Sequence, residues 1–250
     1  KDDERALLSY FTNSFMIRYT SGIDIENNLT NNEWYAVICT HFRELDELKS
    51  KNRSEIRRGL KNCEVKMLDA KFIAENGYNI FLRAFDRYKN NKKPSISEEE
   101  FYSRVIKMKD FSDIVHFWGV FYNNFLIAYA ENYIFDNIEV NYSTIKFHPE
   151  FLKYYPSYAL IYEMNKYYLK EQKFKYVNDG FRSILHESNI QNFLIDKFNF
   201  VKAYTKVYIK YRPFLNSIVS ITYPIRKMLK KINNKVEAFF ILEEIRRSQK

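Results

Sequence analysis

Residues 149–212 constrain the fold of this chain more than any other stretch, because they read as one connected α/β unit. Leu160, Ile161, Met164, Tyr167 and Tyr168 fall on one stripe at helical period, which predicts a helix. Residues 174–178 read as a short strand that ends at Asp179-Gly180. Ser188-Asn189-Ile190-Gln191 has the spacing of a capping box and opens a second helix with Ile190, Phe193, Leu194 and Phe198 on one side. The unit closes on a strand in which Val201, Ala203, Thr205, Val207 and Ile209 alternate with Lys202, Tyr204, Lys206, Tyr208 and Lys210.

The preceding residues alternate strands and helices. Residues 14–20 and 34–42 are β-branched and aromatic and read as strands, separated by a polar loop. Residues 43–62 read as a charged helix and residues 63–68 as a short strand. Asp69 caps a helix expected to run to Tyr88, and Ser97 opens another that reaches about Lys109. A β-meander follows over residues 114–122, 125–133 and 138–147, with Asn123-Asn124 as its first turn. After Arg212 come a basic, apolar helical segment interrupted at Pro224 and a last amphipathic helix over residues 236–247. The expected organisation is a domain over residues 1–212 and a basic helical extension over 213–250.

Composition excludes several classes. Five glycines in 250 residues argue against a glycine-rich nucleotide loop, and 18% aromatics against disorder. Cys39 and Cys63 read as reduced core thiols of a cytoplasmic protein, and no signal peptide or long apolar run is present. His41, His116 and His148 lack ligand-like spacing, so no metal is assigned. The chain begins at Lys1 rather than Met, so a preceding segment is expected.

The net charge of +9 is localised. Residues 197–236 hold ten basic residues and no acidic one, which leaves 30 basic residues against 31 acidic ones elsewhere. The stretch from Lys197 to Lys235 therefore reads either as a surface for a polyanion, such as tRNA or an anionic membrane, or as the lysine bias of an AT-rich genome. The Lys-Tyr alternation at 202–210 has two readings as well: the solvated face of an outer strand, or a stacking and phosphate-binding strip.

The order of elements resembles the GNAT (general N-acetyltransferase) superfamily, an α/β (α+β) fold with a mixed, mostly antiparallel sheet flanked by helices. His148-Pro149-Glu150-Phe151 running into Tyr158-Ala159-Leu160-Ile161 resembles that family's strand-to-helix passage. Leu194-Ile195-Asp196-Lys197-Phe198-Asn199-Phe200 is similar to the ending before its last common strand. Residues 50–58, Ser-Lys-Asn-Arg-Ser-Glu-Ile-Arg-Arg, resemble a basic helix of the Fem-type peptidoglycan aminoacyltransferases, a branch with this fold.

The resemblance implies acyl or aminoacyl transfer to an amine acceptor, a small molecule or a cell-envelope glycan precursor. It also implies acyl-CoA or aminoacyl-tRNA as donor, and a cytoplasmic protein that either stays free or attaches to the inner face of the membrane. Lys153, Tyr155, Ser157 and Tyr158 match the family's phosphate loop, but Tyr155 and Ser157 replace its glycines and Pro156 removes an N–H donor. Ile195 stands where many members place a tyrosine acid. Acetyl-CoA itself is therefore in doubt as donor, and a non-catalytic module that has lost the donor loop is the other reading. Asp179 and His186 are the candidates to receive the proton, with Glu131, Asn141 and Arg182 for the acceptor.

Overall fold

The computed structural model describes residues 15–20, 23, 34–87, 94–184 and 189–249. His186, the Ser188 cap, Tyr88 and most of the polar loop before Trp34 lie outside the described residues. The chain divides into two compact units: one of Ile38–Gly180 and Phe193–Val201, the other of the described residues of Lys1–Val37, Phe181–Asn192 and Lys202–Lys250.

The strands are β1 (Met16–Thr20), β2 (Tyr35–Cys39), β3 (Glu64–Leu68), β4 (Val115–Tyr122), β5 (Phe125–Phe135), β6 (Glu139–Phe147), β7 (Tyr176–Phe181), β8 (Val201–Tyr204) and β9 (Val207–Tyr211). The described helices are α1 (Ser50–Asn62), α2 (Ala70–Asn76), α3 (Tyr78–Arg83), α4 (Glu98–Ile106), α5 (Pro156–Asn165), α6 (Asn189–Phe198), α7 (Pro213–Thr222), α8 (Arg226–Leu229) and α9 (Asn234–Ser248). Among the described residues, seven strands form one sheet in the order β3-β4-β5-β6-β7-β2-β8, and β1 pairs with β9 in a second. The expected α/β architecture with a mixed, mostly antiparallel sheet is present.

The larger unit is built on the meander. Asn123 and Asn124 turn β4 into β5 with φ of 48° and 67°, the left-handed values that asparagine accepts. β3, β4, β5 and β6 pair antiparallel, and β7 joins β6 in parallel. Ile73, Phe101, Val105, Phe117 and Tyr129 are buried on one side of this sheet, between it and α2 to α4. Asp69 accepts the Phe72 amide, and Ser97 with Glu100 closes a reciprocal cap at the start of α4. The helix expected over residues 69–88 breaks at Gly77, where an added Cβ would lie 2.7 Å from the Ile73 carbonyl.

α1 packs on α5 through Gly59. A Cβ there would lie 2.6 Å from the Tyr155 carbonyl oxygen, so only glycine lets the two backbones come this close. The helix expected from Arg43 begins only at Ser50, after a 3-10 turn over Leu45–Glu47.

In the smaller unit β1 and β9 pair antiparallel from Met16↔Tyr211 to Thr20↔Val207. Trp34, Val207, Ile209, Leu242 and Ile245 form its core. Glu243 is buried but satisfied: Arg246, Arg247 and the Tyr211 hydroxyl all donate to it. The strand expected over residues 201–210 is corrected to two, β8 and β9, in different sheets and interrupted at Thr205-Lys206. The expected alternation survives the break: Ala203, Thr205, Val207 and Ile209 are buried, although Val201 is exposed.

Candidate functional site

The sheet opens between its two parallel strands. β6 and β7 pair at Glu139↔Tyr176, Val140↔Val177 and Asn141↔Asn178, and the pairing ends there while β6 continues to Phe147. The cause lies across β6. Opposite β5 the register jumps from Asn132↔Tyr142 to Glu131↔Thr144, so Ser143 is an extra residue that bends the strand as it leaves β7. Such a gap, beyond the carboxyl ends of parallel strands, exposes unpaired backbone groups to a ligand.

Asp179 stands at the mouth of the gap, one residue past the last pair. Burial pushes its carboxyl from 3.8 up to about 7, so near neutral pH it holds and releases a proton. On the same side Tyr142 is buried, with its hydroxyl donating to Asn165 Oδ1 at 2.8 Å; burial raises its pKa, and the Asp179 charge adds to the rise. Next to Asp179, Gly180 has φ of 90°, and a Cβ there would meet nothing within 4 Å. The mouth is open at that point.

Strand alternation separates the other acceptor candidates from Asp179. Asn141 pairs with Asn178 and Tyr133, and Glu131 accepts the Tyr133 hydroxyl at 2.6 Å. Both therefore belong to the face opposite Tyr142 and Asp179. Asn178 donates to Glu139 at 2.8 Å on that opposite face too. Arg182 lies in the smaller unit, where its amide bonds the Tyr35 carbonyl. His186 lies outside the described residues.

β6 leads through a 3-10 turn, Pro149–Tyr154, into the loop that opens α5. Tyr155 has φ of 63° and ψ of 39°, the left-handed conformation that glycine would take without strain. Pro156 carries no amide hydrogen, and the amides of Tyr158 and Ala159 bond the Tyr155 carbonyl, which leaves that of Ser157 for a ligand. The side chains turn elsewhere. Tyr155 lies under Arg58, Lys153 rests on the Tyr154 ring, and the Tyr158 ring lies under Lys197, 5.8 Å from its Nζ.

The cationic surface beside this loop belongs to α1, and the C-terminal charge excess did not point to it. Ser50, Arg53, Ser54, Arg57, Arg58 and Lys61 recur at three- and four-residue spacing and line a shallow cavity of about 300 Å³. The carboxylate of the same helix, Glu55, is bound to Lys197 at 2.8 Å. Among the described residues none of Arg53, Arg57, Arg58 and Lys61 meets a carboxylate. Arg58 reaches the loop directly, with Nη1 3.2 Å from the Tyr155 hydroxyl. The periodic basic pattern of residues 50–61 was the available signal.

The charge block of residues 197–235 is divided between the two units. Lys197 belongs to the larger unit, and Arg226 and Lys230 pair with Glu244 in the smaller one. The Lys-Tyr strip is divided between β8 and β9, with Tyr208 stacked on Tyr19 at 5.1 Å. No group of three or more His, Cys, Asp or Glu side chains able to hold a metal occurs among the described residues. No helix among them is long and apolar enough to cross a membrane.

No protein-family model matches the sequence, and no curated protein matches it. Solved structures do. FemX aligns with a TM-score of 0.59 and 10% identity over 88% of this chain and 77% of that one. A conserved protein of unknown function from Bacteroides thetaiotaomicron VPI-5482 aligns at 0.48 and 13% identity, over 83% of this chain and 66% of its own. A PaiA N-acetyltransferase from Thermoplasma acidophilum, in complex with coenzyme A, aligns at 0.35 and 17% identity, over 44% and 73%. With its meander, its parted parallel strands and the helix that follows them, the chain has a GNAT-like fold with FemX as a structural neighbour.

Proposed function

We propose that the protein is an acyltransferase that moves an acyl or aminoacyl group to an amine at the mouth between β6 and β7. The observation that carries this reading is Asp179, a carboxyl tuned to about 7 at the point where the parallel strands part. In this reading the donor carbonyl lies in the gap, where unpaired strand amides polarise its oxygen. The acceptor nitrogen attacks the carbonyl carbon, Asp179 takes the proton, and the bond to the donor's sulfur or ester oxygen breaks. The leaving group departs as thiolate or takes up the proton that Asp179 has received, since Ile195 offers none.

The donor's phosphates are assigned to α1. One available amide at the start of α5 is a poor pyrophosphate cradle, whereas Arg53, Arg57, Arg58 and Lys61 present guanidinium and ammonium groups beside it. Either an acyl-CoA or an aminoacyl-tRNA supplies such phosphates. The specific acceptor proposed is the amine of a cell-envelope glycan precursor.

The second reading, a binding module without chemistry, is favoured by the strained Tyr155 and by Ile195. Thermal-shift and single-turnover assays with acetyl-CoA, longer acyl-CoAs and charged tRNA separate the two. Transfer to an amine that is lost in Asp179→Asn supports catalysis. Stabilisation by a donor with no transfer to any amine supports the module.

A further inference from the structure

Six large apolar side chains of the smaller unit are exposed at helical spacing. Phe214, Ile218, Ile221, Ile225, Met228 and Ile232 are spaced alternately four and three residues apart through α7, the following 3-10 turn, α8 and the turn after it. Their exposures are 55, 48, 77, 52, 73 and 64%. Single exposed apolar residues are ordinary, but an unbroken stripe of six is not.

The other side of these helices is already occupied. Val219 is buried, the Tyr223 ring lies between the guanidinium groups of Arg226 and Arg247, at 4.1 and 3.7 Å, and Glu244 of α9 binds both Arg226 and Lys230. The stripe is therefore the outward side of an anchored segment. Lys227, Lys231 and Lys235 are exposed nearby, and among the described residues no carboxylate pairs with them. Residues 213–236 contain no Asp or Glu.

We infer that this stripe is a docking face for an anionic lipid surface, with the apolar side chains entering the headgroup boundary and the lysines meeting lipid phosphates. An apolar face flanked by exposed cations is the pattern of helices that lie in a membrane interface. The four-three spacing would also suit a coiled coil with a second copy. Charge decides against that occupant: residues 213–236 of each copy would bring lysines and no carboxylate to the seam. The inference does not depend on the acyl-transfer reading.

The test is co-sedimentation of the full chain with vesicles of phosphatidylcholine alone or mixed with phosphatidylglycerol. Binding is expected on the anionic vesicles and should weaken as salt rises from about 0.1 to about 0.5 M. The pair Ile221→Ser and Met228→Ser should lower it about tenfold with the melting temperature unchanged, because both side chains are exposed. Lys227→Gln with Lys231→Gln should lower it and flatten its salt dependence. Arg57→Gln with Arg58→Gln should leave it intact. No binding to anionic vesicles at low salt overturns the inference, as does binding lost in the α1 variant and kept in the stripe variant. A dimer at micromolar concentration that becomes monomeric in Ile221→Ser/Met228→Ser also overturns it, since a second copy would then cover the stripe.

Discussion

The Arg58 guanidinium lies 4.8 Å over the ring of Tyr155, and Tyr155 holds a left-handed backbone conformation at the start of α5. A cation on α1 is thus occupied by the residue that fills the loop where a phosphate cradle would need glycine. Holding a bulky side chain in that conformation costs about 1–2 kcal/mol, and the ring–guanidinium contact returns about 0.5–1 kcal/mol at an exposed site.

Replacing Tyr155 by glycine removes both the strain and the contact. Stability should therefore change by less than about 1 kcal/mol, since the two terms oppose each other. Arg58 is released toward the cavity, and the loop backbone can approach a ligand more closely. Calorimetry should show weak or absent acetyl-CoA binding by the unmutated protein and tighter binding by Tyr155→Gly. Tight binding by the unmutated protein, or weaker binding by the variant, contradicts this account.

Removing the α1 cations tests the donor assignment from the other direction. Arg57 and Arg58 are exposed, so Arg57→Gln with Arg58→Gln should fold with a nearly unchanged melting temperature. Donor affinity should fall at least about tenfold, and its salt dependence should become shallower. An unchanged affinity would place the donor phosphates elsewhere.

Much of this arrangement was legible in the chain, for local reasons. The Asn123-Asn124 turn, the Asp69 and Ser97 caps and the left-handed Asn199, at φ 64°, depend on residues within a few positions of one another. The meander followed from its apolar runs and the Asn123-Asn124 turn between them. The division of residues 201–210 was not legible, because alternation reports which side is buried and not which sheet does the burying. Nor was the separation of Glu131 and Asn141 from Asp179, since that depends on cross-strand register and on a bulge at Ser143. The direction of the Tyr155 side chain depended on Arg58, 97 residues away in sequence. Sequence spacing carries no information about such a partner.

The hydroxyl of Tyr168 is the hub beneath the site. It accepts from Trp118 Nε1 at 2.8 Å and from Asn132 Nδ2 at 3.2 Å, and it lies 3.2 Å from His116 Nδ1. Burial holds the His116 pKa down, so the neutral ring can accept the hydroxyl proton. Tyr168→Phe keeps the ring packing and takes this partner from Trp118 and His116, while Asn132 Nδ2 keeps Met164 Sδ at 3.2 Å. Each unpaired buried group costs about 1–3 kcal/mol, so the variant should melt about 5–10 °C lower. A shift within about 1 °C, measured by calorimetry at pH 7, would show that the network contributes little.

Asp179 makes opposite predictions for stability and for activity. In the unfolded chain its carboxyl ionises near its ordinary 3.8, whereas in the folded protein it ionises near 7. Between these values the unfolded state loses the proton while the folded state keeps it. The raised carboxyl therefore favours folding fully only below the lower value, and stability drains away as pH climbs to about 7, by on the order of 4 kcal/mol. Sequence alone predicts that Asp179→Asn leaves the melting temperature nearly unchanged, because asparagine suits the turn as well as aspartate. Burial changes that expectation. Asparagine resembles the protonated form, so the variant should match the unmutated protein at pH 4 and melt several degrees higher at pH 8. Transfer should move the other way: the rate rises through about pH 7 as the base form appears, and Asp179→Asn lowers it about a hundredfold or more. Melting curves and single-turnover rates across pH 4 to 9, with His186→Gln in parallel, check both halves. A variant that is stabilised at pH 8 yet fully active would leave Asp179 a buried turn residue, with the proton acceptor to be sought elsewhere along the parted strands.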